Sequence, residues 1–594
     1  MSTVQFNNLV EMFEKSVEAF ADRDLFGVKT DGRYQWATYR EVGEAVDAFR
    51  GGLASIGVSA GDKVSIISNN SPMWAVGAYA TYGLGAQYVP MYEAQLEKDW
   101  LYILKDSGTK VLLVSTEAIY ERTRGFVDEL EALEHVILLD GSAEGATTYE
   151  DLKARGAQSP VASVTPSRED ICGFIYTSGT TGEPKGVLLS HWNLVSNINA
   201  IHSLFPMDSD DVSLSFLPWA HSFGQTCELH CMVSYGAAIG LAVSVETIIE
   251  NLPEVQPTLL FSVPRIFNRI YDGVQKKMKA AGGLKLKLFN ATMNTANKRR
   301  ALAERGQSSP LLDIKHGLLD KVVASKVRDR FGGRLRYAFS GGAALSKEVG
   351  LFIDNLGIKV YEGYGLTETS PIVSANRPGA QKIGSIGKCI PGVTVKIAPT
   401  ETAPEGQGEI VVYGPNVMQG YHNLPEKTAE VMTEDDGFRT GDMGRQDDEG
   451  YLWITGRVKE QYKLENGKYV VPAPMEEQLK LSPLINQVMI DGANRLFNVA
   501  IVVPDIESLK GWAKEAGISY DSDSALCENP KAHERIGQEI ESYGAEFKGY
   551  ERPKKWALTP EEFSPANNML TPTLKLKRRN VMAAYEDTIA ALYE

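Results

Sequence analysis

Cysteine, histidine and long apolar runs are all scarce in this sequence. Its 594 residues include five cysteines and eight histidines. Because the number of cysteines is odd and their positions are scattered, we expect no disulfide framework, which favours a reducing compartment. The cysteines are Cys172, Cys227, Cys231, Cys389 and Cys527.

A membrane-spanning segment is not expected either. The longest uncharged stretch, Val64–Tyr92, contains Asn69, Asn70, Pro72 and three glycines, and it alternates strand-like with helix-like pieces, so we interpret it as protein core. The start, MSTVQFNNLVEMFEK, lacks the basic and apolar regions of a secretory signal. We therefore predict a cytoplasmic protein, with peripheral contact to the inner membrane face left open.

Positive charge is in deficit. Lys and Arg number 61 against 76 Asp and Glu, so the formal net charge is −15. An acidic surface argues against duplex nucleic acid as the main ligand, because phosphate contacts need a basic face. Hydrophobic residues at 43% and charged residues at 23% exclude a fibrous or largely disordered chain. The length exceeds what one hydrophobic core fills, so two or more domains are expected.

The N-terminal part of the chain alternates predicted strands and helices. Thr38 and Glu41 form a capping-box pattern, and Ser71 followed by Pro72 is typical of a helix start. The alternation predicts an α/β fold with mostly parallel, helix-covered sheet. A smaller domain is predicted to begin after Thr455, which gives domains of residues 1–455 and 456–594. Buried strands are predicted at VSIIS (64–68), YVPM (88–91), KVLLVS (110–115) and HVILLD (135–140).

Residues 268–330 carry many Lys and Arg with helical periodicity. We interpret this segment as solvated amphipathic helices. A face that approaches an anionic membrane surface is the alternative.

The segment YTSGTTGEPKG (176–186) carries the strongest chemical signal. An apolar strand runs into a loop in which glycines let backbone N–H groups approach phosphate oxygens, while hydroxyls and a lysine supply further contacts. It is not a Walker A loop, because Gly186 and a strand-like run follow the lysine. The predicted phosphate-binding residues are Thr177, Ser178, Gly179, Thr180, Thr181, Gly182 and Lys185.

This loop resembles the signature of the adenylate-forming (AMP-binding) superfamily, and five further segments resemble its motifs in the same order. They are an adenine-side turn (340–343), an adenine-stacking and Mg²⁺-binding segment (361–369), a ribose element (440–442), a hinge (456–460) and a catalytic-lysine segment (570–579). The resemblance implies a large N-terminal α/β domain that includes a distorted barrel. It also implies a small, mobile α+β C-terminal domain.

The resemblance also implies roles for individual residues and the co-substrates ATP, Mg²⁺ and coenzyme A. The catalytic residues would be Lys575, Thr181, Lys185 and His221. Glu368 and Thr181 would bind the metal, Lys459 would be the hinge, and a loop with Lys463, Gly467 and Tyr469 would serve the coenzyme A step. The other ATP-binding residues would be Gly341, Gly342, Ala343, Glu362, Gly363, Tyr364, Gly365, Leu366, Thr367, Asp442 and Arg457.

Two of these residue types suit their roles independently of the resemblance. The carboxylate of Asp442 offers two acceptor oxygens for two ribose hydroxyls, and Tyr364 offers an aromatic face for a purine. A metal site at Cys227, His230 and Cys231 is rejected, because no second ligand pair accompanies them.

Three features resemble long-chain fatty acid–CoA ligases: FSVPRIFNRIY (261–271), YKLENGKYVVP (462–472) and the ending TPTLKLKRR (571–579). The implied function is activation of a medium- or long-chain fatty acid through acyl-AMP, with transfer to coenzyme A, and the implied assembly includes a possible homodimer. Trp219, Gly224 and Gln225 depart from the pattern beside the presumed acyl channel, as do Phe438 and Arg439 before the ribose element. A fatty acyl-AMP ligase and a catalytically silent nucleotide or lipid binder remain as alternatives.

Overall fold

The structure is a computed structural model that describes residues 5–177, 183–400, 403–571 and 574–594. The chain divides into two compact units. Of the described residues, the first unit holds 5–177, 183–395 and 412–438, and the second holds 396–400, 403–411, 439–571 and 574–594. The predicted boundary at 455 and 456 stays a prediction.

The described strands follow one another along the chain as follows. They are β1 (Asp24–Thr30), β2 (Arg33–Thr38), β3 (Lys63–Ile67), β4 (Gln87–Met91), β5 (Val111–Val114), β6 (His135–Leu138), β7 (Thr147–Thr148), β8 (Ile171–Thr177), β9 (Lys185–Ser190), β10 (Val212–Ser215), β11 (Ala238–Leu241), β12 (Leu259–Ser262), β13 (Tyr337–Ser340), β14 (Lys359–Gly365), β15 (Ile372–Ala375), β16 (Lys388–Cys389), β17 (Thr394–Ala398), β18 (Gly408–Tyr413), β19 (Gly420–Tyr421), β20 (Phe438–Gln446), β21 (Leu452–Arg457), β22 (Tyr462–Lys463), β23 (Tyr469–Val470), β24 (Ile485–Asp491), β25 (Asn498–Pro504) and β26 (Pro553–Leu558).

The described α-helices are numbered in the same way. They are α1 (Leu9–Phe20), α2 (Tyr39–Ser55), α3 (Pro72–Gly83), α4 (Glu97–Ser107), α5 (Glu117–Thr123), α6 (Phe126–Glu129), α7 (Tyr149–Gln158), α8 (His191–Leu204), α9 (Cys231–Tyr235), α10 (Ile248–Val255), α11 (Pro264–Ala281), α12 (Gly283–Ala303), α13 (Pro310–Leu319), α14 (Ser325–Arg328), α15 (Lys347–Asn355), α16 (Pro425–Val431), α17 (Pro472–Leu479), α18 (Ile506–Glu515), α19 (Asp523–Glu528), α20 (Pro530–Tyr543), α21 (Arg578–Ala584) and α22 (Glu586–Ala591). Two π-helical segments (Phe223–His230 and Asp320–Ala324) and two 3-10 turns (Asp329–Phe331 and Thr367–Thr369) complete the described helical structure.

Two large, mostly parallel sheets build the first unit. Among the described residues, one has the strand order β16-β15-β14-β13-β12-β10-β11-β1-β2, and the other has the order β19-β9-β8-β4-β3-β5-β6-β7. Antiparallel pairs occur at their ends, where β1 meets β2, β14 meets β15 and β8 meets β9. The α/β fold class predicted from the alternation is confirmed.

Local signals at the predicted helix starts are also confirmed. Thr38 and Glu41 form a reciprocal capping box at the start of α2, and the Ser71 side chain caps α3, which begins with Pro72. The uncharged stretch from Val64 forms β3, α3 and β4, whose side chains are largely buried. Within the described residues, no helix combines the length and apolar character needed to cross a bilayer.

The second unit contains a four-stranded sheet in the order β17-β18-β20-β21 and a three-stranded sheet in the order β24-β25-β26. Alternate residues of β25 feed two cores: Ala500 and Val502 pack with α17 and α20, whereas Val499 and Ile501 pack with α21 and α22. This is the α+β arrangement predicted for the C-terminal domain.

The expectation of a distorted barrel is wrong for the described residues. Over the described ranges the four-stranded sheet stays open, because its edge strands β17 and β21 are not paired with each other.

Candidate active site

The strand hairpin around the predicted phosphate loop is the starting point of the site. β8 and β9 pair antiparallel, with Thr177 opposite Lys185 and Tyr176 opposite Gly186. A strand therefore follows the lysine, as the comparison with the Walker A pattern predicted. The loop residues themselves lie outside the described residues: Ser178, Gly179, Thr180, Thr181 and Gly182.

Lys185 and Glu368 meet through a tyrosine that the sequence reasoning missed. The Nζ atom of Lys185 lies 4.0 Å from the centre of the Tyr421 ring, and the Tyr421 hydroxyl donates a hydrogen bond of 2.8 Å to Glu368 Oε1. Burial and the neighbouring Glu368 raise the pKa of Tyr421, so this hydroxyl stays a donor. The result is a cation and an anion held on one aromatic side chain.

Long-range strand pairing places this tyrosine. β19 pairs antiparallel with β9, so that Tyr421 lies opposite Val187. The backbone N–H of Met418 donates to the carbonyl oxygen of Glu368 at 2.9 Å. The sequence signal is weak, because Tyr421 lies more than 230 residues from Lys185 and belongs to no recognised motif.

The adenine-side turn follows β13 and approaches its neighbours closely. Gly341 donates from its backbone N–H to the carbonyl oxygen of Ser262, and a Cβ atom on Gly341 would lie 3.2 Å from the Phe223 ring. Gly342 has φ +80°, a left-handed conformation that favours glycine. Ala343 follows this turn directly, as the motif requires.

The predicted adenine-stacking segment forms the end of β14. Glu362 lies opposite Ser340 on β13, and Tyr364 lies opposite Ser374 on β15. A Cβ atom on Gly365 would lie 1.7 Å from the carbonyl oxygen of Pro371, so only glycine fits. The segment then continues through Gly363, Leu366, Thr367 and Glu368.

Glu362 is a buried carboxyl group inside this segment. It accepts a hydrogen bond of 3.0 Å from the backbone N–H of Gly384, and burial raises its pKa to about 7. In this structure the Glu362 carboxyl group therefore binds the backbone of the neighbouring segment at Gly384.

The segment with His221 lies against two of the predicted motifs. The Oγ atom of Ser222 is 3.3 Å from Thr367 Oγ1, and Phe223 contacts the turn at Gly341. His221 Nδ1 accepts a hydrogen bond of 3.2 Å from the Phe223 backbone N–H. The first unit therefore brings Lys185, the His221 segment, the glycine turn and the 361–368 segment together.

The ribose element lies in the second unit. Asp442 on β20 pairs in register with Arg457 on β21, and Arg457 Nε is 3.1 Å from Asp442 Oδ1. Asp442 is 4% exposed, and its backbone N–H donates to Thr440 Oγ1. The structure brings these two predicted residues together, and the guanidinium of Arg457 contacts the carboxylate of Asp442.

Arg439, one of the departures from the family pattern, has a clear structural partner. It donates two hydrogen bonds to Glu409 Oε2, at 2.6 and 3.0 Å. The other oxygen of Glu409 accepts from the backbone N–H of Gly441 at 3.1 Å. Arg439 therefore stabilises the turn that presents Asp442.

The remaining predicted residues of the second unit lie at its surface. Lys459 is in an exposed turn after β21, and β22 and β23 pair so that Lys463 lies opposite Tyr469. Gly467, between these strands, has φ +82°. Lys575 is exposed, and its carbonyl oxygen accepts from the Thr571 backbone N–H at 2.8 Å.

The basic run after Lys575 does not act as one charged surface. Arg578 forms a partly buried ion pair of 2.8 Å with Glu476 and donates to the carbonyl oxygen of Ile490. Arg579, by contrast, is exposed. Arg578 therefore stabilises the fold, whereas Arg579 is exposed, and the sequence alone could not distinguish these two neighbours.

The geometry fits a Mg²⁺ that is shared with phosphate rather than enclosed by protein. Over the ranges that the structure describes, no cluster of three or more His, Cys, Asp or Glu residues suits a metal ion. Mg²⁺ typically takes one or two carboxylates together with substrate phosphates and water. Glu368 supplies one carboxylate beside Lys185, a cation suited to those phosphates.

Sequence families define the class of this protein. Residues 13–422 match the AMP-binding enzymes, and residues 459–594 match the C-terminal domain of AMP-binding enzymes. The chain belongs to this adenylate-forming family.

Individual relatives narrow the comparison. The chain is 32% identical to peroxisomal long chain acyl-CoA synthetase 6 of Arabidopsis thaliana, over 99% of this chain and 86% of that protein. It is 33% identical to long-chain-fatty-acid–CoA ligase FadD15 of Mycobacterium tuberculosis, over 95% of this chain and 93% of that one.

Solved structures show the same fold. The adenylation domain of a carboxylate reductase from Mycobacterium chelonae matches with a TM-score of 0.80 at 24% identity, covering 99% of this chain and 91% of that one. The anthranilate CoA ligase AuaEII, in complex with anthranoyl-AMP, matches with a TM-score of 0.75 at 21% identity and covers 99% of both chains.

Proposed function

We propose that this protein is an ATP-dependent ligase that activates a medium- or long-chain fatty acid as acyl-AMP and transfers the acyl group to coenzyme A. The observation that carries the proposal is the cluster of Lys185, Tyr421 and Glu368 at the base of the phosphate loop. The names of the relatives, long-chain acyl-CoA synthetases and ligases, support the substrate class.

In the first half-reaction, a carboxylate oxygen of the fatty acid attacks the α-phosphorus of ATP. A new oxygen–phosphorus bond forms, and the bond to the bridging oxygen breaks, so that pyrophosphate leaves with the electron pair. No protein nucleophile is required, because the carboxylate is ionised at neutral pH. The protein contributes orientation and positive charge.

The resemblance assigns several of the predicted residues to this step. Lys185 neutralises charge on the departing pyrophosphate, Thr180 and Thr181 donate hydrogen bonds to it, and Lys575 bridges the carboxylate and the α-phosphate. Asp442 and Arg457 hold the ribose, and Tyr364 stacks on the adenine. Glu368, with Thr181, would hold Mg²⁺, which supplies charge neutralisation when it is bound.

In the second half-reaction, the thiolate of coenzyme A attacks the acyl carbonyl carbon, and AMP leaves with the electrons of the mixed anhydride bond. The loop with Lys463, Gly467 and Tyr469 would serve this step. Rotation about Lys459 would exchange it for the segment with Lys575, because one surface cannot serve both reactions.

A fatty acyl-AMP ligase remains the second candidate. Arg439 favoured this alternative, because it departs from the pattern of the long-chain ligases. Its contact with Glu409 gives it a role in the fold instead. The retained coenzyme A loop favours the ligase that completes both steps.

A homodimer is also proposed, and light scattering on the purified protein tests it.

The test of the proposed function combines the purified protein with ATP, Mg²⁺ and fatty acids of graded length, with and without coenzyme A. Pyrophosphate release and mass spectrometry follow the products. We expect acyl-CoA and AMP, with the best chain length defining the acyl site. Acyl-AMP that persists with coenzyme A would indicate the acyl-AMP ligase, and no pyrophosphate with any acid would overturn the proposal.

Lys575→Ala separates the half-reactions. We expect loss of acyl-AMP formation and retention of thioester formation from supplied acyl-AMP. Arg579→Ala, an exposed cation in the same run, is the control and should preserve both steps. Equal loss of both steps in Lys575→Ala would contradict its assigned role.

A further inference from the structure

The helical run after α12 exposes four of its apolar side chains. Leu311, Ile314, Leu318 and Val322 are 83%, 65%, 64% and 50% exposed. Their spacing of three, four and four residues puts them on one face of α13 and the π-helical segment that follows. We call these four residues the outer stripe.

Two polar residues on the opposite face of this run contact α12. Arg299 on α12 donates to Asp313 at 2.6 Å, and Thr295 Oγ1 on α12 is 3.1 Å from His316 Nδ1. Desolvation is the leading cause of a lowered His316 pKa. An amphipathic helix on a protein surface usually buries its apolar face, but the outer stripe lies on the exposed side of this run.

Asp320 continues the inward polar face. Its two carboxylate oxygens accept hydrogen bonds of 2.8 and 2.7 Å from the guanidinium of Arg328. The orientation is therefore held by several polar contacts along the run. The outer stripe is left to contact something other than this helical hairpin.

Positive charge borders the outer stripe. On an α-helical projection, Lys321 lies on one side of it, while Lys315 and Lys326 lie on the other. All three lysines are exposed. Residues 264–330 hold sixteen Lys and Arg against five Asp and Glu, a net charge of +11 in a chain of net charge −15.

We propose that the outer stripe and its bordering lysines dock this protein on an anionic lipid bilayer. An apolar helical face with lysine margins is typical of helices that lie in the membrane interface, and anionic headgroups complement the lysines. A two-fold contact between copies would bring the same lysine margins together, so charge favours the bilayer. The surface is separate from the cluster that carries the proposed ligase function.

The test uses the full chain and sedimentation with vesicles of phosphatidylcholine, alone or with about 30 mol% phosphatidylglycerol. We expect binding to the anionic vesicles at about 0.1 M salt, and weaker binding as the salt rises. The variant Ile314→Glu/Leu318→Glu should bind at least about tenfold more weakly, because it removes apolar contact and adds like charge to the lipid. Lys315→Glu/Lys321→Glu should lose the preference for anionic lipid.

Leu496→Glu is the matched control, because Leu496 is 69% exposed and lies elsewhere in the chain. It should bind as the unchanged protein does. Thermal unfolding of each variant checks that the fold is retained, and both sites are exposed, so retention is expected. Acyl-CoA formation, measured without vesicles, should be equal in all variants, which separates this proposal from the proposed function.

Three results would overturn the proposal. In the first, the unchanged protein stays in solution with anionic vesicles at low salt. In the second, the stripe variant binds as well as the control. In the third, light scattering shows a dimer that the stripe variant converts to monomers, while vesicle binding is absent. That result would assign the surface to a second copy of the chain.

Discussion

Replacement of Glu228 by Gln tests how the interior beside the His221 segment is stabilised. Glu228 lies on the π-helical segment Phe223–His230 and is fully buried. Its Oε2 atom accepts a hydrogen bond of 2.7 Å from Ser215 Oγ. Burial raises its pKa to about 7 from an ordinary value of 4.5, although the hydrogen bond from Ser215 opposes the rise.

This raised pKa has a defined effect on stability. The folded protein holds the proton of Glu228 up to a higher pH than the unfolded chain does. Its stabilising contribution is therefore complete below about pH 4.5 and is lost as the pH rises through about 7. The difference between a pKa of 4.5 and one of about 7 corresponds to about 3 kcal/mol.

Gln resembles the protonated carboxyl group and does not titrate. We therefore expect Glu228→Gln to gain about 3 kcal/mol in the free energy of unfolding, relative to the unchanged protein, between about pH 4.5 and about pH 8. Denaturant unfolding across this pH range, followed by tryptophan fluorescence, measures the difference. Glu144→Gln, at an exposed position, is the control.

A difference between Glu228→Gln and the unchanged protein that is the same at every pH would refute this reasoning. It would mean that Glu228 titrates alike in the folded and unfolded states. Destabilisation by Gln that is largest at high pH would have the wrong sign.

Three further substitutions test contacts of the site. Tyr421→Phe keeps the ring but loses the hydrogen bond to Glu368. Pyrophosphate release should slow by about tenfold, because one such hydrogen bond contributes roughly 1–1.5 kcal/mol. An unchanged rate would contradict the role of the cluster. Arg439→Ala removes the partner of Glu409, which is 5% exposed. Because Arg439 is itself half exposed, we expect the free energy of unfolding in denaturant to fall by about 1–2 kcal/mol. The KM for ATP should rise, and Arg439→Lys should be less affected. Gly365→Ala places a Cβ atom against a carbonyl oxygen and should cost about 3 kcal/mol or more, measured as a lower midpoint of thermal unfolding; an unchanged midpoint would show that the turn adapts.

Prediction from sequence succeeded where a feature depends on neighbouring residues. The capping box of Thr38 and Glu41 spans three residues, so its pattern predicts α2 directly. The run VSIIS at 64–68 overlaps β3, which has the apolar composition of a buried strand. The order of the motifs in the chain was sufficient to predict the family.

Prediction failed or was incomplete where distant segments meet. The basic segment was interpreted as solvated amphipathic helices, but the sequence did not show that Leu311, Ile314 and Leu318 of α13 lie on its exposed face. Helical periodicity defines two faces but does not say which one the neighbouring helix covers. Only the contacts of Asp313 and His316 with α12 decide this.

The sequence by itself determined the fold class, the motifs and the predicted chemistry of this protein, because residue type, spacing and local propensity are properties of short segments. Tertiary structure decided which side chains share a site. It placed Tyr421 between Lys185 and Glu368 through the pairing of β19 with β9. It also buried Glu228, and this burial raises its pKa. These properties arise from contacts between residues far apart in the chain, and such contacts exist only after the sheets have formed.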